Sequence, residues 1–385
     1  MNITGRVEGD FEAARLTVRL GALADNYRTF RRLAGPAAVA AVVKADGYGL
    51  GAQMVAPALA SAGCDSFFVA RLAEGVSLRR HLPTARIFVL DGAAPDAVPA
   101  LLSHNLVPVL NSLADLAGWQ AAARASHQTL EAVVHVDTGM SRLGLPSYEL
   151  TVLAGEAKKR LAGLNLALVM SQLCSADEPG AALNREQLSR FRTALAMLPP
   201  APASLAASAG ILLGADYHFD LVRPGVGLYG ANPRGAGENP MKTVAVLIGR
   251  VLQVRRIDSG DSVGYGATFR TKKPLLVATV ALGYADGIVR AASNRGQAAI
   301  GGVLVPIVGR ISMDLVTLDV SGLATEPRAG DEVELLGDHV SLEMLAEAGG
   351  TNAYEILTGL APRVPRHYTE AGASAQAGAT RENLR

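Results

Sequence analysis

The stretch Ala41-Val42-Val43-Lys44-Ala45-Asp46-Gly47-Tyr48-Gly49-Leu50-Gly51 is an apolar run that ends on a lone lysine and drops at once into a glycine-rich turn. An apolar run bounded by glycines reads as a buried strand, which sets Lys44 at the strand's C-terminal mouth with its ammonium half desolvated. Desolvation disfavours the charged form, lowers a lysine's pKa and makes the amine nucleophilic. Such a lysine suits Schiff-base chemistry with a carbonyl cofactor, and Tyr48, farther along the turn, has a hydroxyl that can reach a phosphate held by the glycines. A lysine snorkelling from a strand end is the plainer reading of the same run.

Outward from this strand, between Leu20 and Gly230, short apolar runs alternate with amphipathic stretches rich in Ala, Leu and Arg, the pattern of repeated βα units. Strands are predicted over 37–43, 66–70, 87–90, 107–110, 131–136 and 164–170, with two more near Leu205 and Val222. Helices are predicted over 50–62, 72–81, 114–125 and 184–198. Eight strands with intervening helices fit an α/β fold of the (β/α)8 barrel class, whose active site lies at the C-terminal ends of the strands. Lys44, Asp137 with Arg142, Gln172, Ser208 and Arg223 all fall at or just beyond predicted strand ends. The run Ala231-Asn232-Pro233-Arg234-Gly235-Ala236-Gly237-Glu238-Asn239-Pro240 is dense in turn formers and marks a domain boundary. Beyond it, β-rich runs at 244–254, 275–282, 302–308, 315–320 and 332–335 are separated by Gly, Asp and Pro, with little helix until 342–348. A mainly antiparallel β domain is expected there.

Length and composition agree with two domains. At 385 residues the chain exceeds a typical single core, and with 36 Lys+Arg against 35 Asp+Glu it offers no electrostatic footprint for nucleic acid or an anionic membrane. A small neutral or zwitterionic ligand fits better. The N-terminal residues are mixed and partly acidic, and no apolar run is long enough to span a bilayer, so a cytoplasmic protein is expected. Cys64 and Cys174 are far apart and form no Cys-x-x-Cys pair, so both read as packed thiols and no metal site is expected. The tail at 369–385, rich in Ala, Gly, Ser and Thr, reads as disordered.

The lysine run resembles the cofactor-lysine motif of the alanine racemases, two-domain enzymes that bind pyridoxal 5'-phosphate (PLP). Further segments similar to that family follow in its order. They are Asp137-Thr138-Gly139-Met140-Ser141-Arg142-Leu143-Gly144, Ser175-Ala176-Asp177-Glu178-Pro179, Arg223-Pro224-Gly225-Val226-Gly227-Leu228-Tyr229-Gly230 and Gly264-Tyr265-Gly266-Ala267-Thr268-Phe269. After these come Gly283-Tyr284-Ala285-Asp286-Gly287, Gly309-Arg310-Ile311-Ser312-Met313-Asp314 and Arg363-Val364-Pro365-Arg366. The resemblance implies a PLP-binding barrel over residues 15–235 and a C-terminal β domain over 236–368, joined by an N-terminal strand at about 10–20. It implies racemisation of L- and D-alanine by two bases, with Lys44 as the Schiff-base lysine and base on one face of the substrate. Tyr265 would be the base on the other face, and its phenol would need cationic neighbours that the sequence does not identify. Arg223 would face the pyridine nitrogen, and because an arginine only donates, that nitrogen would stay unprotonated. Phosphate contacts would come from Tyr48, Ser208 and the backbone N–H groups of Gly225 and Val226. Arg142 would contact cofactor and substrate, Met313 would offer its backbone N–H to the substrate carboxylate, and Tyr284 would line the entrance. Each site would be shared across a homodimer.

The chain also departs from the family pattern. Gln172 stands where many relatives have a histidine that stacks on the cofactor, Ala207 replaces a common asparagine, His135 stands where some have a carbamylated lysine, and Pro362 stands where a pocket-narrowing tyrosine is common. These departures put cofactor affinity and substrate size in play. A racemase of serine or another larger amino acid, and a catalytically weak PLP-binding protein, are the alternatives.

Overall fold

The computed structural model describes residues 12–235 and 237–370. The chain divides into two compact units, one running from Arg19 to Val244 and one made of Ala245–Tyr368 with residues 12–18. The expected disordered tail lies almost wholly outside the described residues.

The first unit is a parallel barrel. The strands Ala41–Val42, Ser66–Val69, Arg86–Val89, Val107–Leu110, Leu130–His135, Leu164–Met170 and Ala203–Ser204 pair in sequence order. The last strand, Leu221–Val222, pairs in parallel with Ala38–Val39. It also follows its predecessor, with Arg223 N–H donating to the Ala206 carbonyl at 2.9 Å, while Val42 N–H donates to the Pro224 carbonyl at 3.0 Å. The ladder thus returns to its first strand. Ser66-Phe67-Phe68-Val69 is buried at every position, as expected of a strand covered on both faces, and Phe68 stacks on Phe88 of the next strand at 4.6 Å. Between strands the helices bury one stripe. In Leu20–Ala34 the buried residues include Leu23, Tyr27, Phe30 and Ala34, the three-and-four spacing of a helix face.

The second unit is built on the thirteen-residue strand Ala245–Ile257. Ala14–Arg19, Glu332–Leu336 and Leu275–Val280 all pair antiparallel with it, and within the pairing to Leu275–Val280 the register slips between Val251 and Gln253. The full sheet order places Ala14–Arg19 between Ala245–Ile257 and Arg366–Thr369. Val263, Leu275, Val277 and Val308 form a buried cluster under one end of the sheet, joined by Ile257 and Phe269. Two short helices, Leu342–Gly349 and Ala353–Gly359, carry side-chain caps from Ser341 and Asn352.

Candidate functional site

Lys44 follows the strand Ala41–Val42 and opens a turn in which Ala45, Asp46, Gly47 and Tyr48 have φ of 53°, 53°, 63° and 56°. Three of these are not glycine, and L residues avoid this region, so the turn must be held from outside. Glu74 accepts the Ala45 N–H at 2.7 Å and the N–H groups of Ala70 and Arg71 at 2.8 and 3.0 Å, while Asp46 accepts the Ala52 N–H at 2.8 Å. The effect is to fix the backbone from which the Lys44 side chain starts. Burial, and after it the Arg142 guanidinium, hold the Lys44 ammonium below the ordinary lysine value, with Glu74 and Asp91 pulling the other way. Arg142 is placed by its own loop, where Asp137 Oδ1 gathers the N–H groups of Gly139, Met140 and Ser141 at 2.8, 2.9 and 3.2 Å.

Arg223 is buried just beyond the last barrel strand. It donates to the Ser204 hydroxyl at 2.5 Å, the Ser171 carbonyl at 2.7 Å and Gln172 Oε1 at 3.0 Å, all neutral acceptors. Its Nε–H has no acceptor among the described residues. Burial pushes Arg223 down to about 10, which still leaves it protonated at neutral pH. Ser208, also buried, accepts the N–H of Gly225 at 2.8 Å and of Gly227 at 3.3 Å, so its hydroxyl hydrogen is left to give. Val226 N–H has no acceptor among the described residues, whereas the Gly225 N–H, a predicted phosphate donor, is already given to Ser208. A Cβ at Gly225 would stand 2.3 Å from the Tyr48 hydroxyl oxygen, and the Tyr48 ring is stacked on Tyr229 at 4.5 Å. Tyr48, Ser208, Arg223, Gly225 and Val226 therefore meet at one side of the barrel mouth. Lys44, Arg142 and Arg223 make a cationic rim with no carboxylate bound to any of them among the described residues. An anionic ligand with a flat acceptor group fits this donor set.

His135, at the end of Leu130–His135, points Nδ1 at Asn111 Oδ1 across 2.8 Å. The Asn111 amide nitrogen serves the Leu90 and Val109 carbonyls, both at 3.0 Å, so Nδ1 carries the hydrogen and Nε2 is a bare acceptor. Among the described residues no cluster of His, Cys, Asp or Glu could hold a metal ion.

Tyr265, Tyr284 and Met313 belong to the sheet unit. Tyr265 is 73% exposed and does not pack on the sheet as an ordinary hairpin aromatic would. It lines a cavity of about 530 Å³ with Arg310, Ser312 and Leu315. Arg310 Nη1 lies 2.9 Å from where a Cβ on Gly266 would stand, so glycine at 266 admits the guanidinium beside the tyrosine's own backbone. Residue order alone does not bring Arg310, of the Gly309-Arg310 motif, to Tyr265; the close approach to Gly266 does. Tyr284 and Met313 come together through their segments, with Tyr284 N–H donating to the Ser312 carbonyl at 3.0 Å and Ala285 N–H to the Met313 carbonyl at 2.9 Å. Pro362 is exposed.

A parallel barrel with a cationic mouth and a lysine on a braced turn, followed by an antiparallel sheet unit, defines a class of two-domain barrel proteins. Residues 18–233 match the profile described as "Alanine racemase, N-terminal domain" and residues 244–368 the one described as "Alanine racemase, C-terminal domain". The chain belongs to the alanine racemase family. It is 46% identical to "Alanine racemase, catabolic" of Agrobacterium fabrum over 385 residues, covering 100% of this chain and 99% of that protein. It is 48% identical to the alanine racemase of Rhodospirillum rubrum over 362 residues, covering 93% of this chain and 96% of that one. Among solved structures it is similar to the alanine racemase of Bartonella henselae with covalently bound pyridoxal phosphate, with a TM-score of 0.90, 40% identity and coverage of 93% of this chain and 100% of that one.

Proposed function

We propose that this protein interconverts L- and D-alanine with pyridoxal 5'-phosphate as cofactor. The observation that carries the reading is the barrel mouth, where a lysine with a lowered pKa shares a rim with two arginines that have no carboxylate partners among the described residues. When bound, the cofactor supplies an electron-withdrawing ring that makes the α-hydrogen of an attached amino acid acidic. Lys44 would hold the cofactor and, once its amine is released, move a proton at one face of the α-carbon. Its depressed pKa favours the neutral amine relative to an ordinary lysine. Arg223 would give its Nε–H to the ring nitrogen. Arg223 stays protonated at neutral pH despite its burial and so can donate a hydrogen bond but not accept one, which would leave the ring nitrogen as an unprotonated acceptor and the ring only moderately electron-withdrawing. Ser208 O–H, Val226 N–H and Tyr48 would hold the phosphate, with Gly225 providing the room. Arg142 and the Met313 N–H would bind the substrate carboxylate, and Tyr284 would line the entrance.

Proton transfer on the second face is assigned to Tyr265 of the partner subunit, in a homodimer with shared sites. Support for this comes from the family resemblance and from the exposure of Tyr265. Racemisation followed by optical rotation, with L-alanine, L-serine and larger amino acids offered in parallel, tests the reading. Turnover of alanine above the others is expected, and absence of turnover with alanine would overturn it. Preference for serine would favour the wider-pocket alternative, for which Pro362 is the motive.

A further inference from the structure

In the sheet unit, the turn at 283–287 and the segment at 312–315 meet backbone to backbone. A Cβ on Gly283 would stand 2.3 Å from the Met313 carbonyl oxygen, so the approach requires glycine. The Met313 N–H has no acceptor among the described residues, and the Met313 and Tyr284 side chains are 53% and 41% exposed. One side chain from a third segment binds these two together. Arg363 donates Nε–H to Asp286 Oδ1 at 2.7 Å and an Nη2 hydrogen to Asp314 Oδ1 at 2.8 Å, while Asp286 Oδ2 accepts the Gly283 N–H at 2.8 Å. Asp286 is buried beneath the Tyr284 turn, and Asp314 is the residue after Met313. The planar guanidinium spans both carboxylates at once, a geometry that a single ammonium on a flexible stem does not reproduce. Arg363 itself is half exposed, so its ion pairs add little to overall stability. What they do fix is the spacing of two functional groups.

We propose that Arg363 is a positioning residue for substrate recognition: by bridging Asp286 and Asp314 it sets the distance between Tyr284 and the Met313 N–H, and so limits the size of the amino acid that the site accepts. This rests on the reading in which Met313 meets the substrate carboxylate and Tyr284 lines the entrance. The holoenzyme of Arg363→Lys keeps the charge and loses the fork. Its KM for alanine should rise about tenfold with a smaller change in kcat, and the ratio of kcat/KM for alanine over serine should fall by at least about fivefold. Hydrogen exchange at the Gly283 and Ala285 amides should quicken, whereas PLP content, governed by the barrel unit, should not change. Asp314→Asn leaves the Asp286 contact in place and should move the same readings in the same direction, which serves if Arg363→Lys does not accumulate. A purely structural role would lower the melting temperature without moving the alanine-to-serine ratio. A ratio within twofold of the parent's in both variants therefore overturns the proposal, whatever happens to melting or exchange. Failure of the parent enzyme to turn over either amino acid would sink the racemase reading, and this proposal with it.

Discussion

The Arg223 guanidinium donates to Oε1 of Gln172 at 3.0 Å. Gln172 is thus more than the absence of a stacking histidine. Its amide oxygen is one of the neutral acceptors that aim a buried cation, and neutrality matters because a carboxylate there would draw the charge away from the ligand. Gln172→Leu should cost about 1 kcal/mol of that orientation, read as a roughly fivefold rise in the PLP dissociation constant by titration of the apoprotein. An unchanged constant would mean that the Ser171 and Ser204 contacts suffice.

Lys44→Ala should abolish racemisation in both directions and leave no PLP attached after borohydride reduction. Tyr265→Phe should retain borohydride-trapped PLP while losing turnover by on the order of 10²- to 10⁴-fold, the usual cost of a lost acid–base group. Mixing the two dead variants after dissociation tests whether sites are shared. A heterodimer then has one site with both lesions and one with neither, so random pairing should restore roughly a quarter of parental activity. No recovery despite subunit exchange confirmed by mass would place both groups in one chain.

Gly225→Ala puts a methyl group 2.3 Å from the Tyr48 hydroxyl oxygen and 3.1 Å from Tyr48 Cζ. The ring is stacked on Tyr229 and has little room to retreat, so overpacking of about 1–3 kcal/mol is expected in thermal unfolding, with weakened PLP retention. Adding Tyr48→Phe removes the closer atom and should recover part of the stability. A Gly225→Ala protein as stable as the parent would show that the tyrosine can shift.

His135 gives a pH signature with a definite sign. Burial, and after it the Arg223 charge, push its imidazolium down to about 4, Arg142 adding to this and Asp137 opposing it. In the unfolded chain the ring titrates near 6.5, so between those values the unfolded state binds the extra proton. The stability contribution is complete above about pH 6.5 and is lost as pH falls towards 4. Its size is on the order of 3 kcal/mol. Denaturant unfolding between pH 7.5 and 4.5 should show a steeper loss for the parent than for His135→Gln. Parallel curves over that window would contradict the assignment.

Much of the barrel was readable because its strands are short, nearly continuous apolar runs alternating with longer amphipathic stretches, and Ser66–Val69 is buried at every position as a strand covered on both faces is. The helix Leu20–Ala34 was missed for a physical reason. The strand Ala14–Arg19 passes into it directly, Arg19 provides no side-chain cap, and Gly21, a poor helix former, sits in its first turn. The short strand Gln297–Ile300 was missed as well, its two central alanines giving little β signal before the Gly301-Gly302 turn. At the site, residue types and their order along the chain carried Lys44, Ser208 and Arg223 to strand ends. The left-handed backbone of Ala45, Asp46 and Tyr48 had no local sign, because Glu74 imposes it from another element. Arg310 beside Gly266 and Arg363 across Asp286 and Asp314 are likewise tertiary facts, visible only once distant segments meet.

The strand Ala14–Arg19 pairs with Ala245–Ile257, and the barrel is the stretch of chain inserted between them. During translation this strand leaves the ribosome before the barrel and waits for partners that are made after the entire barrel. Its place in the sheet is interior, between Ala245–Ile257 and Arg366–Thr369, so a fragment cut at the domain boundary would lose a central strand and bare two unpaired edges. The β domain is therefore contiguous in space but not severable in sequence: its first strand must be fused to 245–368 for the excised domain to close its sheet.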